Sequence, residues 1–480
     1  MKKKNTPATL PTSKQPPGIT NVRLFILLAL CLITSLVWLF NPRPEIVLLA
    51  CVLPLAGVFV INQTFWFVSL FVLFSFFRIH EALPILYNFR LPLLLSAGAL
   101  AALCFHIVIS KQIKPFWHPC FGWLLAFWLL IIIGLIFASN RGIAIEYFKN
   151  VYWKIIIMTL AIAWLVNSEL NLKRIALMIV CAGLLIAGVA ISNAINGIGL
   201  VENTRVSIGR DFGSMLGDPN DLSLVLMFPL AFSLSLTMTR SLGWVRLFSA
   251  LCSVAAFYAV IETQSRGGLL GCIAILGIFG LRHIRSKFLL GLLGVIAIGV
   301  LFSLAGISER QSGGAAEDGI DESAMGRLYA WQAAFKMALE HPFTGVGIDN
   351  FYSNYYFYTS HWDGLNHAVH STWFGVLAES GFVGLIVFVG IIVSVVKTSR
   401  QNLKLLQNSP STFSPYVHAT AFAVYAGLIG TIVSGTFLTQ GFNWPIYILS
   451  GLAIACHRII HVDSQNENQH ESSENKLLYD

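Results

Sequence analysis

The chain has 480 residues, of which 56% are apolar and 11% charged, and its mean hydropathy is +0.72. A soluble domain carries roughly 25% charged residues, so the composition excludes a soluble globular protein and indicates a polytopic membrane protein. The net charge of +8 comes from Lys and Arg scattered through short loops, which is the distribution of topology signals and not of a nucleic-acid-binding surface.

Residues 1–22 are polar, hold Lys2, Lys3, Lys4 and several prolines, and read as a disordered cytoplasmic tail. A transmembrane domain is expected over 23–461. The apolar run after Arg23 is long enough to span, and no small-residue cleavage site follows it, so it reads as a first span and not as a removed signal peptide. Spans are expected near 24–40, 45–61, 64–78, 91–110, 120–138, 151–167, 174–195, 221–239, 244–262, 267–281, 287–306, 371–396, 416–438 and 444–461. The runs are uniformly apolar rather than alternating, so they are helices and not barrel strands. The fold class is therefore an all-α polytopic membrane protein. It has about 12–14 transmembrane helices, because the second and third runs are short and nearly fused. A large periplasmic loop with short interfacial helices is expected at 307–370, and a disordered cytoplasmic tail at 462–480.

All eight cysteines lie inside or at the edge of apolar runs and none forms a CxxC pair, so they read as small packing residues and not as disulfides or metal ligands. With the Lys-rich tail inside, the basic segments Lys111–Lys114, Lys173–Arg174, Arg240–Arg246, Arg282–Lys287 and Lys397–Lys404 all fall on the cytoplasmic side. Residues 196–220, the turn near Thr263–Arg266 and the loop 307–370 then face outward. Two of these outer segments hold arginines against the bias, Arg205 and Arg210 in the first and Arg266 in the second. An anionic ligand is one reason to keep them there.

Three outer stretches can carry chemistry, and each has a plainer structural reading beside it. Thr204–Leu222 places Arg205 and Arg210 before Asp218-Pro219-Asn220-Asp221, a helix start capped by Asp218 or Asn220. The arginines are either solvated loop residues or forked donors for phosphate. In Glu262-Thr263-Gln264-Ser265-Arg266-Gly267-Gly268, Arg266 either snorkels to headgroups or is fixed inside the bundle by its polar neighbours. The third stretch, Gly326–Gly381, opens on Gly326-Arg327 and an amphipathic helix with Leu328, Trp331, Phe335 and Leu339 on one face, suited to the interface plane. A dense aromatic run follows, fit for a membrane belt or for sugar rings. His367 and His370 then precede a helix bearing Glu379. Histidine is the commonest general base, though a lone histidine is more often a hydrogen-bonded structural residue. Metal binding by His361, His367 and His370 is a weaker reading, because no HExxH pattern is present and the only nearby carboxylate is Asp363.

The ordered set is an arginine loop before a Gly…DPN helix start, Ser-Arg-Gly at an outer turn, then GR…W…HPF.GVG..NF and HS.W…..E.G. It resembles the bacterial O-antigen ligase and polymerase superfamily, which also contains the protein O-oligosaccharyltransferases. The resemblance covers roughly Thr204 to Leu385. It implies transfer of a glycan from an undecaprenyl-pyrophosphate carrier at the periplasmic face of the bacterial inner membrane, by inverting chemistry with no metal or cofactor. The acceptor is a lipid A-core sugar (the ligase reaction), a growing glycan or a protein hydroxyl. It further implies that Arg210 or Arg205, together with Arg266, holds the pyrophosphate, that His370 activates the acceptor hydroxyl, and that Arg327 organises the loop or contacts phosphate. The spacing between arginine and DPN is longer than the family pattern, which leaves Arg205 and Arg210 both open. Glu379 lies about 13 Å along the helix from His370 at 1.5 Å per residue, so it is expected to support an arginine of a neighbouring span, with His367 and Asn220 in supporting roles. The different-class alternative is a transporter or flippase of lipid-linked glycans. It is disfavoured because the chain shows no internal repeat and its charges gather at one face.

Overall fold

The computed structural model describes residues 43–304, 322–408 and 413–479, together with most of 31–40. The tail 1–22, most of the first expected span and residues 305–321 of the large loop lie outside the described residues. The chain divides into Met1–Thr64 and Phe65–Asp480. In the first unit, α1 (Pro44–Asn62) starts on a proline, where the missing N–H is not needed, and is apolar between Glu45 in its first turn and Asn62 at its end.

The longer helices that follow belong to the second unit, apart from Thr64 at the start of the first of them. They are α2 (Thr64–Phe77), α3 (Leu91–Ile109), α4 (Pro119–Phe137), α5 (Arg141–Leu165), α6 (Glu169–Asn196), α7 (Pro219–Met238), α8 (Trp244–Glu262), α9 (Arg266–His283) and α10 (Lys287–Leu304). They continue with α11 (Glu322–Glu340), α12 (Phe351–Tyr358), α13 (Thr372–Asn408), α14 (Pro415–Gly435) and α15 (Trp444–Tyr479). Ten described helices are long and apolar enough to cross a membrane, while α2 and α10 are apolar but shorter. The protein is thus an all-α polytopic membrane protein, as its composition requires. The helix of α15 continues through 462–479, where the sequence suggests a disordered tail; no proline after Pro445 stops it.

α7 is the innermost span. Its most apolar window is 78% buried, against 33% for α8. It packs against α6, α8, α9 and α14. Apolar side chains gain nothing by leaving lipid for protein, so hydroxyls supply much of the specific adhesion. Ser235 Oγ on α7 donates to the Ala419 carbonyl on α14 at 2.6 Å, and Ser253 Oγ on α8 bonds Ser233 Oγ at 3.0 Å. Outside this centre, α4 and α11 pack on α13, and α5 packs on α15.

The antiparallel run of α6, α7, α8 and α9 decides what meets at each end. Lys173, Arg240, Arg246 and Arg282 collect at one end. The 196–220 loop, the α8–α9 turn and the start of α7 collect at the other. The basic end is tied down by ring contacts, with Lys173 over Tyr416 at 4.7 Å and Arg282 over Phe422 at 4.7 Å.

Candidate active site

The site is built where three chain breaks meet. Asp218 is the N-cap of α7 and accepts from the Asn220 N–H at 2.7 Å; Pro219 occupies the first turn. The cap is therefore Asp218, which leaves the Asn220 side chain available for another task. Asn220 Oδ1 accepts from Arg205 Nη2 at 3.1 Å and from Ser265 Oγ at 3.0 Å. One amide oxygen thus ties the arginine loop, the DPN start and the Ser-Arg-Gly turn together. Ser265 also caps α9 by accepting from Gly268 N–H, and Gly268 has no room for a Cβ, which would sit 2.4 Å from Ser223 Oγ of α7. Arg266, at the first position of α9, directly follows Ser265, which shares the Asn220 oxygen with Arg205.

Arg205 is 5% exposed; its Nε donates to the Thr263 carbonyl at 3.1 Å, and Glu202 lies 3.8 Å from Nη1. It is a built-in residue, not a solvated loop arginine. Arg210, by contrast, is exposed on the single 3-10 turn Arg210–Phe212. Thr263, Asn220 and Glu202 hold Arg205 in place, so the two arginines that sequence spacing left equivalent occupy different environments. The loop itself is clamped by residues that the motif reading missed. Ser214 Oγ donates to Glu81 Oε2 at 2.5 Å, and Glu81 also pairs with Arg78 at 3.0 Å. Burial raises the Glu81 carboxyl, but His80, Arg78 and Ser214 together hold it below the usual range. The signal was present as Arg78-Ile79-His80-Glu81 between two apolar runs.

The large loop supplies the other half. α11 buries Ala330, Ala333, Ala334, Met337 and Ala338 against its neighbours, while Leu328, Phe335 and Leu339 are 45–58% exposed. The expected Leu328–Trp331–Phe335–Leu339 face is therefore split. Small residues let α11 lie close on α13, and the bulky stripe faces outward. Trp331 turns inward, stacks on Phe374 at 5.1 Å and donates Nε1–H to the Val369 carbonyl at 3.0 Å. On the other side of His370, Thr372 Oγ1 donates to the Leu438 carbonyl at 2.7 Å and accepts from Gln440 N–H at 2.9 Å. His370 is held between these anchors in a left-handed conformation, φ +44°. A non-glycine residue there costs on the order of 1–3 kcal/mol, a strain typical of functional positions. Burial pushes the His370 imidazole below the usual histidine range. Arg327 adds to that shift, Asp218 opposes it, and His367 and Arg205 add further positive charge. The charges that bear on His370 thus come from Arg205, Asp218, Arg327 and His367, the first of them 165 residues away in sequence (370 − 205).

His367 has a different environment. Its Nε2 lies 2.7 Å from Asp363 Oδ2, and its ring meets Tyr355 edge-on at 5.3 Å. His361 stacks on Tyr329 instead. Among the described residues, no three His, Cys, Asp or Glu side chains are grouped to hold a metal ion.

The partner that the structure gives Glu379 is a backbone N–H and not the expected arginine. Its Oε1 accepts from the Phe351 N–H at 3.1 Å, so it caps α12 from a separate helix. Two residues on, α13 breaks at Gly381, φ +70°, where a Cβ would lie 2.5 Å from the Pro342 carbonyl. The His-Pro-Phe-Thr-Gly-Val-Gly turn is packed there, and Val346 N–H bonds the Ala378 carbonyl at 2.8 Å. The same turn docks on the end of α4. Asn350 Oδ1 accepts from Asn140 N–H at 2.9 Å, and a Cβ on Gly347, φ +95°, would lie 2.4 Å from Ala138 Cβ. The GVG..N and E.G motifs thus work as joinery for the loop. Gln440 is a further residue the sequence did not single out. It is fully buried, its Nε2 is 3.4 Å from Asp221 Oδ1, and its Oε1 has no partner among the described residues.

Residues 251–389 match the O-antigen ligase family. The match supports a glycosyltransferase of O-antigen ligase or polymerase type, whose substrates are a lipid-linked glycan and an acceptor at a membrane. It spans Arg266, Arg327, His367, His370 and Glu379. Arg205 and Asn220 precede it and join it through the Ser265 hydrogen bond. No curated protein matches the chain.

Proposed function

We propose that the protein transfers a glycan from an undecaprenyl-pyrophosphate carrier to an acceptor hydroxyl at the periplasmic face of the bacterial inner membrane. The acceptor we favour is lipid A-core, the ligase reaction, and the transfer is inverting and needs no metal. His370 takes the proton of the acceptor hydroxyl as its oxygen attacks the sugar C1. The C1–O bond to phosphate breaks, and the pyrophosphate leaves with the electron pair. Arg205, Arg266 and Arg327 balance the charge that develops on it, a role fixed cations fill well away from bulk water. The observation that carries this reading is the hydrogen-bonded junction of Arg205, Asn220 and Ser265, which joins the arginine loop and the DPN helix start to the turn that bears Arg266; His370, held low by burial and by the charges of Arg327 and Arg205, is the base that goes with it. Arg205 is favoured over Arg210 as the phosphate ligand because Asn220 and Ser265 join it to the turn that bears Arg266.

The test is reconstitution. Purified protein in lipid nanodiscs is given lipid-linked glycan and either lipid A-core, free glycan or a protein acceptor, with and without EDTA. Glycosylated lipid A-core formed in both conditions is expected. Product only with glycan or protein acceptor moves the assignment to a polymerase or protein transferase. Glycan crossing proteoliposome membranes without any transfer would replace the enzyme by a transporter.

A further inference from the structure

The aromatic segment beside His370 has no part in proton or phosphate chemistry, yet it is built as a platform. Trp362 is 42% exposed and packs edge-on against Tyr356 at 4.8 Å, with Tyr355 beneath at 6.4 Å. Next to it, Asp363 is fixed twice. Its Oδ1 accepts from the Leu365 N–H at 3.0 Å and its Oδ2 meets His367 at 2.7 Å. Each carboxylate oxygen keeps a second lone pair. The segment is stapled to α11 from outside by Ser360 Oγ to Gln332 at 2.8 Å and by Tyr358 OH to Glu340 at 2.8 Å. The indole is therefore held rather than loose.

Resting on the transfer reading, we propose that Trp362 and Asp363 form a sugar subsite that holds a ring of the glycan next to the reacting one. The apolar C–H face of a pyranose lies on the indole, and its hydroxyls donate to the Asp363 carboxylate. This pairing of an aromatic surface with a few placed polar groups is how small-molecule sites fix orientation. A lipid contact fits less well. Asp363 is 42% exposed beside the indole, and a carboxylate is expensive in hydrocarbon. Leu328, Phe335 and Leu339 of α11 are exposed apolar side chains that suit lipid without a carboxylate among them. The register follows from the chain, since His367, paired with Asp363, lies three residues before His370.

The subsite can serve the donor glycan or the acceptor glycan, and kinetics separates them. Initial rates are measured for wild type, Trp362→Ala, Trp362→Phe and Asp363→Asn, with donors carrying one or several sugars and with acceptor varied at fixed donor. Trp362→Ala and Asp363→Asn are expected to raise one KM roughly three- to tenfold, the size of a lost stacking contact, with Trp362→Phe between them and wild type. A rise in donor KM that grows with glycan length places the donor on the platform. A rise in acceptor KM places the acceptor there. Wild-type KM for both substrates in folded Trp362→Ala and Asp363→Asn overturns the subsite. So does a loss confined to vesicle association, which makes the platform a lipid contact. In either case wild-type transfer stands, so the failure is separate from that of the enzyme reading.

Discussion

Asn220→Asp separates a structural from an electrostatic role for the Arg205 centre. The substitution keeps the side-chain shape and the oxygen that accepts from Arg205 at 3.1 Å and Ser265 at 3.0 Å, so the three chain breaks remain tied. What changes is charge. Two unit charges about 4 Å apart interact by about 4 kcal/mol at an effective dielectric of 20. A carboxylate there draws Arg205 into an ion pair and opposes an incoming phosphate. With part of that screened by water, roughly 2 kcal/mol of donor attraction is lost, or about thirtyfold in donor KM. Asn220→Ala is the contrast. It removes the acceptor of a buried serine hydroxyl and of one Arg205 N–H, at about 1–3 kcal/mol for each group left unsatisfied, and lowers the melting temperature as well as activity. The assay is donor-dependent initial rates beside thermal unfolding in detergent. A stable Asn220→Asp protein with wild-type donor KM would show that Arg205 does not hold phosphate.

His370→Ala is expected to lower the transfer rate by about 10²–10⁴ with donor binding retained, and His367→Ala to lower it much less, read from single-turnover transfer and donor titration. Arg327→Gln removes a positive charge that holds the His370 imidazole below its usual range. The base then protonates at higher pH, and the acid limb of the rate profile moves upward; an unmoved limb refutes the assignment. Arg205→Lys and Arg266→Lys keep charge but lose the guanidinium fork, so both should lose most transfer, while Arg210→Lys stays near wild type. Gly347→Ala should lower the melting temperature, since its Cβ would lie 2.4 Å from Ala138 Cβ on backbone with φ +95°.

The sequence by itself determined the class of protein and most of its spans, because a bilayer demands about 20 apolar residues per crossing whatever the packing. It also placed Arg205, Arg266, Arg327 and His370 as candidates, because polar residues at span ends stand out against an apolar background. It did not separate Arg205 from Arg210. Both are arginines in one loop, and only the fold shows Asn220 and Thr263 closing on the first while the second stays exposed. In α11 the face suited to the interface is exposed at Leu328, Phe335 and Leu339, but its fourth member, Trp331, turns inward onto Phe374, which one helix's periodicity does not reveal. Glu379 and Gln440 found their partners, Phe351 N–H and Asp221, across chain separations of 28 and 219 residues. Periodicity is local to one helix and carries no information about such pairings; only the tertiary packing of α7, α12, α13 and the α14–α15 turn decides them.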